Sequence, residues 1–136
     1  MMARPIPMRI LVIEDSDSIR RMIEALVSAR GFEVDAVSNG AKGLEVAFEK
    51  IPDVILLDLN LGGTYDGFEV CTRLRANPLT RSVPVIVISA LSDDESKKKA
   101  YDAGCSAYYT KPFSPIALLK EIESLRVRQR STPGIL

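Results

Sequence analysis

The stretch D-V-I-L-L-D-L-N-L-G-G, residues 53–63, sets Asp58 directly behind four apolar residues, Val54 to Leu57. An unbroken apolar run between polar neighbours suits a strand buried on both faces, as in a parallel sheet, whereas a half-solvated strand would alternate. An ionised carboxylate is costly to bury unpaired. Asp58 is therefore paired, metal-bound or at the open end of its strand.

Outward from this stretch, strand and helix signals alternate. Residues 9–13 (R-I-L-V-I) read as a buried strand ending at Glu14-Asp15, and Ile19, Met22, Ile23, Leu26 and Val27 then recur at helical spacing up to Gly31. Residues 32–37 alternate like a strand, Asn39-Gly40 makes a turn, and 41–50 is a short helix stopped before Pro52. After the quoted strand, residues 67–76 fit a helix with Phe68, Cys71 and Leu74 inward, and 84–89 (P-V-I-V-I-S) is another buried strand. Ser92 with Glu95 reads as a capping box opening a fourth helix that Gly104 ends. Residues 107–110 form a short fifth strand before Lys111-Pro112. Ser114 caps a last helix with Pro115 at its first position and Ile116, Leu119, Ile122 and Leu125 inward.

Five βα units imply an α/β fold: an open, parallel, five-stranded sheet with helices on both faces, in the flavodoxin-like strand order 2-1-3-4-5. Ligands of such sheets bind beyond the carboxyl ends of the strands, where the strand order reverses, here between strands one and three.

Composition removes several kinds of function. The chain has 136 residues, enough for one core without disulfide or metal staples. Lys plus Arg (18) equals Asp plus Glu (18), so no net field favours nucleic acid or an acidic membrane. With no histidine, Ser-His-Asp and Cys-His sites, histidine-ligated zinc and a phosphohistidine-carrier role are excluded. Cys71 and Cys105 fit no metal or redox spacing and read as packing. No signal peptide or long apolar span is evident, so a cytoplasmic protein is expected.

The polar groups expected at the strand ends are Glu14-Asp15, Asp58, Ser89 and Lys111. Three converging carboxylates repel one another unless a cation neutralises them, and hard oxygen ligands favour Mg²⁺. A divalent metal and the Lys111 ammonium together balance the three carboxylates, leaving an electrophilic site suited to a phosphoryl group.

With these residues the sequence resembles the receiver domain of bacterial two-component response regulators, over about residues 8–128, with 1–7 an N-terminal extension and 129–136 a tail. The resemblance rests on Glu14-Asp15, Asp58 with Asn60 two positions on, Ser89-Ala90, and Lys111-Pro112 preceded by Tyr108. It implies Asp58 as phosphoacceptor. It implies that Asp15, Asp58 and the Asn60 carbonyl hold Mg²⁺, with Glu14 contributing through water, and that Ser89 and Lys111 bind phosphoryl oxygens. Tyr108 follows Ser89 as a switch that remodels the face of helix four, strand five and helix five, and Lys111-Pro112 is expected to be cis. The implied partners are a sensor histidine kinase or histidine phosphotransfer protein and a downstream target or effector domain, with no direct nucleic-acid or membrane contact. The same switch face could pair two copies. Two departures stand out: Gly62 replaces the usual proline, and Asp66-Gly67 fall one position late, giving a longer loop over 62–65 that is expected to be mobile and to alter partner selection.

Rival readings fit less well. An aspartate-nucleophile phosphatase needs a second acid where Asn60 stands. A flavodoxin-type FMN site needs a phosphate loop where Glu14-Asp15 would repel the ligand. A non-phosphorylated pseudo-receiver would lack some of the five groups, and none is missing.

Overall fold

In the computed structural model, which describes residues 7–130, five strands alternate with five helices. The strands are β1 (Arg9–Ile13), β2 (Glu33–Val37), β3 (Val54–Leu57), β4 (Val85–Ser89) and β5 (Ala107–Thr110). The helices are α1 (Asp17–Ser28), α2 (Gly40–Glu49), α3 (Gly67–Ala76), α4 (Asp94–Asp102) and α5 (Pro115–Arg130). Residues 1–6 and 131–136, most of the two terminal segments expected above, lie outside the described residues. All four ladders are parallel, and the order is β2-β1-β3-β4-β5, as the alternating pattern requires.

Burial follows this topology. Every residue of β3 and β4 is buried, whereas the edge strands β2 and β5 are partly exposed. Successive side chains go to opposite faces. Leu11, Ile13, Ile55 and Leu57 join Leu44, Val70, Leu74 and Ala100 of α2, α3 and α4 in one core cluster. Ile10, Val12, Val54 and Leu56 join Ile23, Val27, Leu118 and Ile122 of α1 and α5 in the other. The continuous apolar run of the opening stretch is thus the strand sandwiched between both layers.

Four local expectations change. Ser92 does not open α4: Asp93 is its cap, the side chain accepting from the Ser96 amide at 2.9 Å. A carboxylate one residue nearer the first turn also faces the positive end of the helix. Asn39-Gly40 is the start of α2, Asn39 accepting from the Lys42 amide at 2.8 Å. Met22 and Ile116 are exposed, and on α5 Leu118 is buried beside Leu119, Ile122 and Leu125, because the apolar stripe is centred one position away from Ile116. On α3, Phe68 is only partly buried, and Val70 is buried with Cys71 and Leu74. Ser114 does cap α5, accepting from the Ala117 amide at 3.2 Å.

Arg75, near the end of α3, ties the loops opposite the strand ends together. Its guanidinium donates to the carbonyls of Gly104 (2.9 Å), Arg81 (3.1 Å) and Val83 (2.7 Å). Carbonyls left over where helices and turns end are satisfied by this one side chain. Among the described residues, no helix is long and apolar enough to cross a membrane.

Candidate functional site

The sheet register brings the acidic residues together. Ile13 pairs with Leu57 at the last rung between β1 and β3, so the next residues out are Glu14 and Asp58. The Asp58 amide donates to the Ile13 carbonyl, and the Glu14 amide to the Val37 carbonyl, each at 3.0 Å. Glu14 is 2% exposed and Asp58 4%, while Asp15 faces solvent. One carboxylate oxygen from each of Glu14, Asp15 and Asp58 lies within 4.8 Å of the others. Asp58 Oδ1 accepts from the Asn60 amide at 3.2 Å, and Glu14 Oε2 from the Ser16 amide at 3.1 Å, which fixes both side chains.

Gly67 allows the next element to close on the site. A Cβ there would collide with the Asp58 carbonyl and Leu59 Cα, so only glycine lets the start of α3 press on the backbone carrying Asp58. Asp66 caps α3, accepting from the Glu69 amide at 2.9 Å, and the Gly67 amide donates to the Leu59 carbonyl.

From the other side, the Lys111 amide donates to the Ser89 carbonyl at 2.8 Å, and the Lys111-Pro112 peptide is cis, as expected. Lys111 Nζ stands 2.8 Å from Glu14 Oε1 and 3.4 Å from Asp58 Oδ2. The Glu14 contact is a close ion pair with a carboxylate that is almost wholly buried. Burial pulls the Lys111 ammonium down, but Glu14 and Asp58 beside it outweigh burial and hold it above the usual lysine range. Burial pushes the Glu14 carboxyl up to about 7, with Lys111 and the Ser16 amide opposing and Asp58 adding to the rise.

Ser89 is the last residue of β4 and fully buried. Its hydroxyl accepts from the Leu91 amide at 3.1 Å, while the Tyr108 hydroxyl donates to the Leu91 carbonyl at 2.6 Å. Glu14, Asp15, Asp58 and Lys111 therefore stand in direct proximity beyond the strand ends, with Asn60 on the Asp58 turn and Ser89 closing β4, whereas Tyr108 lies two rungs back on β5 opposite Val87 and reaches Leu91 through its hydroxyl. The Ser16 and Leu91 backbone groups were not anticipated. A main-chain donor or acceptor carries no residue-type signal in the sequence.

The donors in this cluster are all oxygens, two of them buried, the set a hard divalent cation prefers. With one carboxylate oxygen of each of Glu14, Asp15 and Asp58 inside the same 4.8 Å, the residues present fit such an ion.

Fold and site define a small doubly wound domain with an acidic, cation-ready crevice at the switch point of its sheet. The chain belongs to the response regulator receiver domain family, whose model matches residues 10–123, and it is a receiver domain of two-component signalling. It is 35% identical to the response regulator PleD of Caulobacter vibrioides over 134 residues, covering 93% of this chain and 29% of PleD. The chain spans about half the length of other curated relatives. The structure of the chemotaxis response regulator CheY4 of Vibrio cholerae superposes with a TM-score of 0.82 at 28% identity, covering 88% of this chain and 99% of that one. The receiver domain of the sensor histidine kinase PA1611 of Pseudomonas aeruginosa, with a magnesium ion coordinated in its active-site cleft, superposes at 0.81 and 28% identity, covering 88% and 98%.

Proposed function

We propose that Asp58 accepts a phosphoryl group from a phosphohistidine on a sensor kinase or histidine phosphotransfer protein, and that the acyl phosphate switches a surface read by a downstream partner. The observation that carries this reading is the placement of Lys111 within ion-pair distance of both Glu14 and Asp58 at the switch point. Asp58 Oδ forms the new bond to phosphorus as the donor's P–N bond breaks, the electron pair staying on the donor nitrogen, which takes up a proton. Lys111 supplies positive charge beside the oxygens that gain negative charge, and Ser89 offers a hydroxyl to another of them. Asp15, Asp58 and the Asn60 carbonyl would hold Mg²⁺, with Glu14 acting through water. When bound, the ion would neutralise charge on the transferred group.

The switch starts from the Leu91 backbone. With Tyr108 bonded outward to the Leu91 carbonyl and Ser89 bonded to the Leu91 amide, a phosphoryl group that draws Ser89 away loosens the segment holding Tyr108. Tyr108 then moves toward the space Ser89 leaves, remodelling the face of α4, β5 and α5. The protein acts as a switch in the cytoplasm, and its catalysis is confined to its own phosphoryl transfer and loss. Asn60, an amide where a phosphatase of this chemistry carries an acid, disfavours turnover of phosphomonoesters.

The test is incubation with Mg²⁺ and acetyl phosphate, followed by mass spectrometry. One alkali-labile phosphoryl group is expected, absent in Asp58→Ala and after chelation of the metal. An adduct that persists in Asp58→Ala would overturn the assignment.

A further inference from the structure

The loop between β3 and α3 is fixed at both ends and unsupported between them. Leu61 is buried in the core formed with α2, α3 and α4. Tyr65 packs on the same core, and its ring lies 4.3 Å from the Arg73 guanidinium, a cation–π contact with α3. Arg73 is in turn held by Glu69, Nε to Oε1 at 3.1 Å. On the α2 side, a Cβ at Gly40 would stand 2.8 Å from the Tyr65 carbonyl and 3.2 Å from Tyr65 Cβ, so the loop lies flush on the first residue of α2. Tyr65 is thus clamped between two helices.

Residues 62–64 span the gap as Gly-Gly-Thr, all exposed, with Gly63 at φ +90°. Two glycines in sequence give this segment little conformational preference of its own, so its position is dictated by the two anchors. It forms one wall of a cleft of about 410 Å³ also lined by Ser38, Asn39 and Asp15, the solvent-facing carboxylate of the acidic cluster.

We propose that Tyr65 is a positioning residue that sets donor specificity: its clamp holds residues 62–64 opposite Ser38 and Asn39, and the width of that cleft limits the bulk of the phosphodonor that can approach Asp58. The proposal rests on Asp58 as phosphoacceptor. Small changes in the width of a site discriminate weakly but measurably between ligands differing by a few atoms. Removing the ring frees the Gly-Gly-Thr segment, widens the cleft and favours the bulkier donor.

The experiment compares Asp58 phosphorylation by acetyl phosphate with that by the smaller phosphoramidate, with Mg²⁺, in the wild type and in Tyr65→Ala, Tyr65→Phe and Arg73→Ala. The acetyl phosphate to phosphoramidate rate ratio is expected to rise about threefold or more in Tyr65→Ala, stay at the wild-type value in Tyr65→Phe, and rise partway in Arg73→Ala. A uniform loss of folded protein would scale both rates equally and leave the ratio unmoved. Should Tyr65→Ala not fold, Arg73→Ala at an exposed position supplies the same comparison. An unchanged ratio in folded variants that still form the Asp58 adduct overturns the clamp alone. Absence of any adduct in the wild type overturns the Asp58 assignment and the clamp with it.

Discussion

Lys111 Nζ is closer to Glu14 Oε1, at 2.8 Å, than to Asp58 Oδ2, at 3.4 Å, so the ammonium rests on the buried glutamate and reaches toward the aspartate. Replacing Lys111 with Ala removes that positive charge from beside Asp58, the acceptor in the proposed reaction. Adduct formation from acetyl phosphate is expected to slow by about 10²-fold, the size of effect seen when one donor to a developing anion is lost. A mass-spectrometric time course measures it. A rate within about twofold of wild type would show that Lys111 does not act on the transferred group.

The cap of α4 can be assigned by a pair of substitutions. Asp93→Ala should lower the urea midpoint, as loss of an N-cap does, while Ser92→Ala should leave it at the wild-type value. Urea denaturation of both variants checks the difference. The reverse order would restore the capping box read from Ser92 and Glu95.

Arg75→Ala leaves the carbonyls of Gly104, Arg81 and Val83 without their donor. A loss of about 2–4 kcal/mol is expected, because several charge-assisted bonds go at once. Arg75→Lys should recover little of it, since an ammonium on a flexible stem cannot reproduce a planar fork. Chemical denaturation provides the measurement, and full rescue by lysine would contradict this account of the latch.

Both thiols should be inert while the protein is folded. Burial pushes Cys105 up to about 12, with Cys71 adding to the rise and Arg75 opposing, and it raises Cys71 in the same direction. A thiol with a raised folded-state pKa contributes stability that is complete below the ordinary value of 9.0 and is lost as pH climbs toward 12. Ellman's reagent at pH 8 should therefore find no reactive thiol in the native protein and two in urea. Rapid native labelling would show that one cysteine is open to solvent.

The fold was legible because its signals were strong and redundant. Val54 to Leu57 and the 84–89 run suit strands buried on both sides, and the carboxyl ends of such strands then gather Glu14, Asp58, Ser89 and Lys111 by topology. What escaped the sequence was finer than residue type. Ile116 and Leu118 are both apolar and two positions apart, and only the rotation of α5 on the sheet decides which is buried. Ser92 and Asp93 are both good caps, and the chain's path before α4 chose between them. The glycines of the 62–65 loop carry no sign of the contacts by which Tyr65 ties its far end to Gly40 and Arg73.

The carboxylates of Glu14 and Asp58 and the hydroxyl of Ser89 are mounted on or just beyond the ends of buried strands, whereas the surfaces a partner can touch belong to loops and helices around them. The domain is divided into a stiff floor and an adjustable rim. A substitution on the rim can alter the outer surface while the buried strand ends keep Glu14, Asp58 and Ser89 where they are.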